Sequence, residues 1–456
     1  MSVTKEFCRP KTSFIVEHPI LTGLVAPTLA TAAAVLLAII FVLDHELYLE
    51  IFRIVSISAF SEPFNDWSSL SSAVTCWQKG VDVYVHNLCF ARDPEEGYNY
   101  GPLLLRLWFI TNDPAAIKAT SIAFGGLFLV TVAITNRPHT LLGLLATVLA
   151  LVSSATMVAI ERAGLDLMIF VATSLIAALL VRSGVMRSLG YAIVAILALL
   201  KFYPFVLAIM TVRERLRGFV LASVTTFAAV AVPIVLTLDQ TRSAMANIGP
   251  GRLFANLIGA KNLPNGLMEL VVQRIPLDPD TASMLVSLGR ATILLVLVAF
   301  ALALAALLVR GGLAAGYRRL CPFDAALLAC GAALLVGCFF VGNSILYRAI
   351  FLLLALPGLL RLATLIEPAP TRLVIQATCV AVPAVCSVNV IHALINLVTA
   401  SGSLGRAIDW VAIELAWWLI ITVLIGVLIT VVSASPIWAD VRRIAGPSPN
   451  LRRTRK

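Results

Sequence analysis

Ten long apolar stretches divide the chain, and polar segments containing Pro and Gly separate them. Each is close to the roughly 20 residues that an α-helix needs to cross a bilayer. The predicted spans lie near residues 26–43, 115–135, 139–158, 165–181, 218–238, 283–309, 322–341, 345–361, 372–396 and 409–434. The pattern predicts an all-α polytopic membrane protein of about ten transmembrane helices, with residues 1–456 in one integral domain.

Residues 188–212 are apolar but do not fit a further span. Leu189–Leu200 would give only about 18 Å of helix against a bilayer core of about 30 Å, and Pro204 then breaks the helical pattern. Arginines precede and follow the segment. We therefore predict a broken or re-entrant hairpin with Lys201-Phe202-Tyr203-Pro204 at its tip. Because irregular backbone at membrane depth is tolerated only inside protein or beside a polar cavity, the tip should line a site.

Composition supports a lipid environment: 60% of the residues are hydrophobic and 13% are charged, against about 45–50% and 25% in soluble domains. This excludes a soluble enzyme, a disordered tail and a fibre. The net charge of +10 reflects Lys and Arg that cluster in alternate loops, which is typical of cytoplasmic segments and not of a nucleic-acid partner. The predicted N-terminus (1–25) and basic tail (435–456) are cytoplasmic, and loops 44–102 and 239–282 are extracytoplasmic.

The loop 44–102 contains nine acidic residues against three basic ones. Asp66 precedes a helix-like run, and two interpretations stay open. It either caps that helix, or it is a carboxylate at the membrane boundary that takes a proton from a hydroxyl nucleophile. Asp44, just beyond the first span, is the rival candidate for the second role.

Three cations lie at predicted outer ends of spans, where polar residues tend to be functional. Arg162 follows Glu161 and either forms a local ion pair or binds an anionic headgroup. Lys201 either snorkels to the interface or, with Tyr203, binds phosphate. Arg348 either anchors a span at the interface or forks onto a phosphate. Candidate substrate contacts are the neighbouring aromatic and acidic residues Trp67, Tyr98, Tyr100, Tyr347 and Glu161.

Cys76 and Cys89 are the cysteines predicted to lie in an extracytoplasmic loop, where an oxidising compartment permits a disulfide. Closing this ring would contribute roughly 3 kcal/mol through the unfolded state. No His, Cys or carboxylate set has metal-ligand spacing, and no nucleotide-binding loop or GxSxG element occurs. We therefore expect no metal and no nucleotide-driven chemistry.

Several short motifs, in order from about residue 60 to 360, resemble glycosyltransferase family 87. They are Gly80-Val81-Asp82-Val83-Tyr84 and Tyr98-Asn99-Tyr100-Gly101-Pro102 in the first loop, Glu161-Arg162-Ala163-Gly164-Leu165-Asp166, Leu200-Lys201-Phe202-Tyr203-Pro204, and Tyr347-Arg348-Ala349-Ile350-Phe351-Leu352. The resemblance implies a GT-C fold in a bacterial-type plasma (inner) membrane. It also implies transfer of a sugar, with mannose the family's best-known donor sugar and another hexose or a pentose open, from a polyprenyl-phosphate carrier to a lipid or glycan acceptor. No cofactor besides that donor is implied.

The resemblance also implies residue roles. Asp66 would be the general base, and Lys201, Tyr203 and Arg348 would lie near the carrier phosphate. The loop lacks the paired acidic residues of metal-binding GT-C relatives, since Trp67 follows Asp66, which favours a metal-independent enzyme. An acceptor that attacks directly would invert the anomeric centre. A transporter or flippase of lipid-linked sugars is the alternative, and a structural membrane protein is the third interpretation. The oligomeric state stays open.

Overall fold

The computed structural model describes residues 19–55, 57, 60, 62–248, 257–272, 278–342, 344–399 and 403–444. Within them the chain is mainly helical, with one antiparallel pair formed by β1 (Leu257–Ile258) and β2 (Ser344–Ile345). The α-helices are α1 Pro19–Leu43, α2 His45–Ile54, α3 Asn65–Gln78, α4 Pro114–Thr135, α5 Leu141–Leu151, α6 Ser154–Arg162, α7 Leu165–Leu180, α8 Gly184–Leu200, α9 Leu216–Leu236, α10 Leu238–Ala246, α11 Asn262–Val272, α12 Pro279–Leu308, α13 Ala314–Arg318, α14 Pro322–Val341, α15 Leu352–Leu365, α16 Ala369–Cys386, α17 Val388–Thr399, α18 Ser403–Ser433 and α19 Pro436–Ile444. Three 3-10 helices cover Leu104–Arg106, Tyr203–Arg213 and Leu346–Phe351, and a π-helix, Val309–Leu313, joins α12 to α13. Most of the predicted N-terminal segment 1–25 and about half of the tail 435–456 lie outside the described residues.

The described helices support a polytopic membrane protein but fewer spans than predicted. Eight are long and apolar enough to cross a membrane, and α5 with α6, bent by 44° at their junction, make a ninth if they act together. The predicted span 165–181 folds as a 16-residue helix, α7, whose length of about 24 Å falls short of a ~30 Å core. The predicted span 372–396 is divided between α16 and α17.

Residues 188–212 fold as the predicted broken hairpin. Helix α8 ends at Leu200, and the 3-10 helix Tyr203–Arg213 returns beside it. Glu214, at the end of the returning arm, accepts hydrogen bonds from Arg187 Nη2 (3.2 Å) and Tyr191 (3.0 Å) near the start of α8. Both ends of the segment therefore lie together, and the tip at Lys201 lies at the opposite end.

The interior of the bundle is formed by α14, α15 and α18. Of their most apolar stretches, 67%, 61% and 67% of the residues are buried, against 17% and 11% for the lipid-facing α1 and α9. Gly358 of α15 faces Leu328 of α14 so closely that a Cβ would lie 2.7 Å from the leucine Cβ. Small residues at such contacts let membrane helices approach, and this packing fixes the 3-10 helix Leu346–Phe351 at the head of α15.

The first loop, residues 44–102, has a core of its own. Trp67 and Leu70 of α3 are buried together with Val83 and Tyr98, which follow the helix. Cys76 and Cys89 form the predicted disulfide, with Cα atoms 5.6 Å apart. The loop then docks on the membrane bundle, as the next section describes.

Candidate active site

A backbone junction between α3 and α6 organises the site. Phe64, just before α3, has φ +67°, and Ala163, just after α6, has φ +51°; they are the two non-glycine residues with positive φ in the described chain. The Phe64 amide donates to the Glu161 carbonyl at 2.6 Å. Left-handed non-glycine residues cost about 1–3 kcal/mol each and concentrate at functional sites. The junction holds the start of α3 against the start of α7.

Asp66 lies in the first turn of α3 and turns towards the membrane bundle. Its Oδ2 accepts a hydrogen bond from the Tyr347 hydroxyl at 2.9 Å, and its Oδ1 lies 3.5 Å from Arg162 Nη1. The helix has no side-chain cap, so the interpretation of Asp66 as an N-cap is wrong. Its side chain is only 11% exposed.

A second carboxylate, Asp166, lies in the first turn of α7 and is 1% exposed. It accepts hydrogen bonds from Lys201 Nζ and the Tyr203 hydroxyl, both at 2.6 Å, and Arg348 Nε lies 3.4 Å away. Asp66 and Asp166 thus each lie at a helix N-terminus, where the backbone dipole favours negative charge.

Gly164 joins the two halves into one site. A Cβ at this position would lie 3.2 Å from Asp66 Oδ2 and 3.7 Å from Asp166 Oδ2. The carboxylates therefore face each other across a residue that leaves them room. We refer to Asp66, Arg162, Asp166, Lys201 and Arg348 as the charged cluster.

The end of the first loop closes over the hairpin tip. Gly101 N donates to Leu200 O at 3.0 Å, and a Cβ on Gly101 would lie 1.9 Å from Leu199 O, so only glycine permits this approach. The docking places the Tyr100 ring 5.0 Å from Lys201 Nζ. A cation at this distance from an aromatic ring is stabilised by the ring electrons.

Arg348 is held from the opposite side. Its Nη1 donates to Ser344 Oγ at 2.7 Å, and its guanidinium lies 4.7 Å from the centre of the Tyr203 ring. Ser344 belongs to β2, which pairs with β1 of the second loop. The short sheet therefore fixes the segment that carries Tyr347 and Arg348.

Burial sets the protonation behaviour of the first-loop groups. It raises the pKa of the Asp66 carboxyl above the ordinary value, and the charges of Arg162 and Lys201 oppose this only in part. Burial likewise raises the pKa of Tyr100, which keeps its hydroxyl neutral. A carboxyl with a raised pKa is a better proton acceptor once ionised.

The cluster has spare capacity to bind an anion. Its ion pairs involve three cations and two carboxylates, which leaves one positive charge in excess. The Nε atom of Arg162 is buried and has no hydrogen-bond partner within the described chain, whereas Arg348 Nε faces Asp166 at 3.4 Å without forming a hydrogen bond. Because an unpaired buried donor is unfavourable, the Arg162 guanidinium favours an anionic ligand.

Four of the predicted site residues lie elsewhere or have structural contacts. Asp44 is exposed and caps α2 by accepting a bond from Leu47 N at 2.9 Å. Trp67 packs against Phe124 in the loop core. Tyr98 is buried and donates to Gly101 O at 3.0 Å. Glu161 accepts from the Tyr48 hydroxyl at 3.1 Å beside the α3–α6 junction.

From the sequence, Asp166 was named only as the last residue of a motif and was missed as the centre of the cation network. The sequence did contain a signal for Asp166. An acidic residue at the start of an apolar membrane helix is energetically unfavourable unless it has a function or a charged partner. What the sequence lacked was the partner, because Lys201 and Arg348 lie far along the chain.

No group of three His, Cys, Asp or Glu side chains arranged to hold a metal ion is present among the described residues. Comparison of the chain with protein-family models, with curated proteins and with solved structures gives no match. Fold and site together define an all-α polytopic membrane protein with a buried charged cluster where a polar loop docks on the helix bundle.

Proposed function

We propose that the protein is a membrane glycosyltransferase that moves a sugar from a polyprenyl-phosphate carrier to a lipid or glycan acceptor. The observation that carries the proposal is the charged cluster: a buried carboxylate, Asp66, lies beside Arg162, whose Nε donor is unpartnered within the described chain, and Lys201 and Arg348 converge on Asp166 next to it. A base and an anion site in one place suit a substrate with a phosphate at the interface and a chain in the lipid.

In the proposed reaction Asp66 removes the proton from an acceptor hydroxyl. The hydroxyl oxygen attacks the anomeric carbon, and the bond from that carbon to the phosphate oxygen breaks. The carrier leaves as polyprenyl phosphate with the bonding electron pair, and Asp66 keeps the proton. Direct attack inverts the anomeric centre. The Tyr347 hydroxyl, 2.9 Å from Asp66, orients the carboxylate.

Arg162, Lys201 and Arg348 are proposed to bind the carrier phosphate, with Tyr203 holding Arg348 in place. Negative charge grows on the leaving phosphate during transfer, and fixed cations in a buried site stabilise it more than water does. Guanidinium groups suit this role because their planar N–H pairs match phosphate oxygens.

The finer features belong to the same proposal. The resemblance to glycosyltransferase family 87 favours a GT-C fold, mannose or another hexose or pentose as the sugar, and a metal-independent reaction on the extracytoplasmic side of a bacterial plasma membrane. A chelator should then leave transfer unchanged.

The direct test is transfer by the purified Asp66→Asn protein, with Asp44→Asn as a matched control at the rival carboxylate. We expect Asp66→Asn to lose about 10²–10⁴-fold in kcat, the usual contribution of a general base, while donor binding persists. Asp44 is exposed and caps a short helix, so Asp44→Asn should transfer normally. Wild-type rates in Asp66→Asn would refute the assignment of the base.

The assay also separates an enzyme from a flippase of lipid-linked sugars. In detergent no bilayer separates two compartments, so a flippase yields no product there. We expect the enzyme to release polyprenyl phosphate from its donor when a soluble acceptor analogue is added. Failure with every donor sugar would overturn the proposed function.

A further inference from the structure

A cavity of about 400 Å³ lies between the first loop and α10. On the loop side it is lined by Trp77, Asp82 and Tyr84, and on the α10 side by Asp239, Gln240 and Ser243. It belongs to neither the charged cluster nor the lipid-facing surface of the bundle. Its volume falls within the ~300–1,000 Å³ of typical small-molecule sites.

The side chains that line the cavity suit one ligand chemistry. The loop side offers the aromatic side chains of Trp77 and Tyr84 and the Asp82 carboxylate, whereas the α10 side supplies a carboxylate, an amide and a hydroxyl. A pyranose has the complementary character, with an apolar face of C–H groups and a rim of hydroxyl donors and acceptors. Neither Asp82 nor Asp239 has an ion-pair partner within the described chain, so both can accept hydrogen bonds from ligand hydroxyls.

A separate observation also points to a ligand here. Tyr84 is 7% exposed, and its hydroxyl has no hydrogen-bond partner within the described residues. A buried donor without a partner is unfavourable by about 1–3 kcal/mol. The oxygen is shielded from solvent in the free protein, so a ligand hydroxyl pairs with it only where binding moves the ring.

The walls of the cavity are rigidly held. The Cys76–Cys89 disulfide lies directly beside Trp77, and the Tyr84 amide donates to Asp82 Oδ1 at 3.0 Å. Asn247, just after α10, donates to Tyr84 O at 2.8 Å and clamps the helix to the loop. Such preorganisation lowers the entropy lost on binding.

An aromatic row connects the cavity to the charged cluster. Ring contacts run from Trp77 to Tyr84 (6.1 Å), from Tyr84 to Tyr98 (5.6 Å) and from Tyr98 to Tyr100 (5.8 Å). Tyr100 lies against Lys201, with 5.0 Å from its ring centre to Nζ. The cavity is thus connected to the site through the buried core of the first loop and is fixed relative to it.

We infer that this cavity is a binding site for a neutral saccharide, in which Trp77 stacks on the sugar ring and Asp82, Asp239 and Gln240 bind its hydroxyls. Its role as the site for the sugar part of the acceptor rests on the proposed function; saccharide binding itself does not.

The test is titration of the purified full-length protein with neutral methyl glycosides and disaccharides, followed by saturation-transfer NMR. The detergent must have no sugar headgroup, since maltoside would compete. We expect Trp77→Ala to weaken binding at least tenfold. Trp108→Ala is the matched control, because Trp108 is 82% exposed and lies outside the cavity. Absence of saccharide binding in the wild type, or unchanged binding in Trp77→Ala, would overturn the inference.

Two variants on α10 guard against misfolding at Trp77, which adjoins the disulfide. Asp239 is exposed and Gln240 is partly exposed, and both lie on a separate element. Asp239→Asn and Gln240→Ala should each weaken saccharide binding without changing the helical circular dichroism. Binding of a divalent cation with no saccharide binding would also refute the inference.

Transfer kinetics separate this inference from the proposed function. If no donor supports transfer, the proposed function fails, and the titration still decides the cavity. If transfer occurs, Gln240→Ala should raise KM for the acceptor with kcat unchanged. An unchanged acceptor KM would overturn the acceptor role.

Discussion

The two buried carboxylates of the charged cluster differ in their surroundings, and the difference assigns their roles. Asp166 is surrounded by Lys201, Tyr203 and Arg348 within 3.4 Å. Its negative charge therefore holds the two cations in position. Asp66 has one guanidinium at 3.5 Å and one tyrosine hydroxyl. Pairs of acids in unequal environments commonly divide structural and proton-transfer roles, and this difference supports the proposal that Asp66 accepts the proton.

The raised pKa of Asp66 predicts a pH profile. A general base acts only when ionised, so kcat should fall as the pH drops through the pKa of Asp66, which burial raises above its usual value of about 3.9. The Tyr347 hydroxyl stabilises the ionised form and lowers this pKa. Tyr347→Phe should therefore move the acidic limb to higher pH. A limb that stays in place would show that Asp66 does not control the rate.

Asp166 predicts a stability effect. Asp166→Asn leaves Lys201 and Arg348 as buried cations without their carboxylate, which should destabilise the protein by about 3–5 kcal/mol. The double variant Asp166→Asn/Lys201→Met removes one of the two unpaired charges. Its loss in free energy of unfolding should therefore be smaller than the sum of the losses in the two single variants. Unfolding in mixed micelles measures this coupling.

An exposed ion pair supplies the contrast for that measurement. Glu367, 84% exposed and paired with Arg319, should cost only about 0–1 kcal/mol when replaced by Gln. Equal losses of unfolding free energy in Glu367→Gln and Asp166→Asn would contradict the proposed coupling between Asp166 and its cations. Strictly additive losses in the double variant would contradict it as well.

At the level of elements, Gly101 controls how the first loop meets the hairpin. A Cβ there would lie 1.9 Å from the Leu199 carbonyl oxygen, so Gly101→Ala must push the loop off the end of α8 and take Tyr100 away from Lys201. We expect the free energy of unfolding to fall by about 1–3 kcal/mol, as is typical of overpacking, and the rate of sugar transfer to fall with it. Gly126→Ala, on α4 with open space around it, should leave both unchanged in thermal unfolding and activity assays.

The sequence predicted elements better than contacts. Apolar runs show which segments are long enough to cross a membrane, and from them most spans and the hairpin tip at Lys201 were predicted. The loop left outside the first span then gave the Cys76–Cys89 disulfide. A run of hydrophobic residues does not reveal a bend, so the junction of α5 and α6 and the division of α16 from α17 were missed. The pairing of Asp166 with Arg348 was also out of reach, because packing of distant helices, and not local pattern, brings these side chains together.

For the whole molecule, the proposed chemistry depends on which side of the membrane each end of the hairpin faces. Arg187 and Glu214 join the two ends of the hairpin, so the tip and the first loop lie at the opposite end from them. Basic residues flank those ends, at Arg182 and at Arg213 to Arg217, which favours the cytoplasm. The charged cluster would then face the extracytoplasmic side, as the proposed function requires.

Cysteine labelling in intact cells tests this arrangement. We expect Lys79→Cys, exposed in the first loop, to react with an impermeant maleimide from outside, and Ser183→Cys and Arg215→Cys, exposed at the two ends of the hairpin, to react only after permeabilisation. Labelling is measured against the parent chain, in which the free cysteines among the described residues, at 330, 338, 379 and 386, are buried. Reaction of Ser183→Cys and Arg215→Cys from opposite sides would mean that the segment crosses the membrane once. Reaction of Lys79→Cys only after permeabilisation would place the charged cluster on the cytoplasmic side and remove the basis for extracytoplasmic transfer.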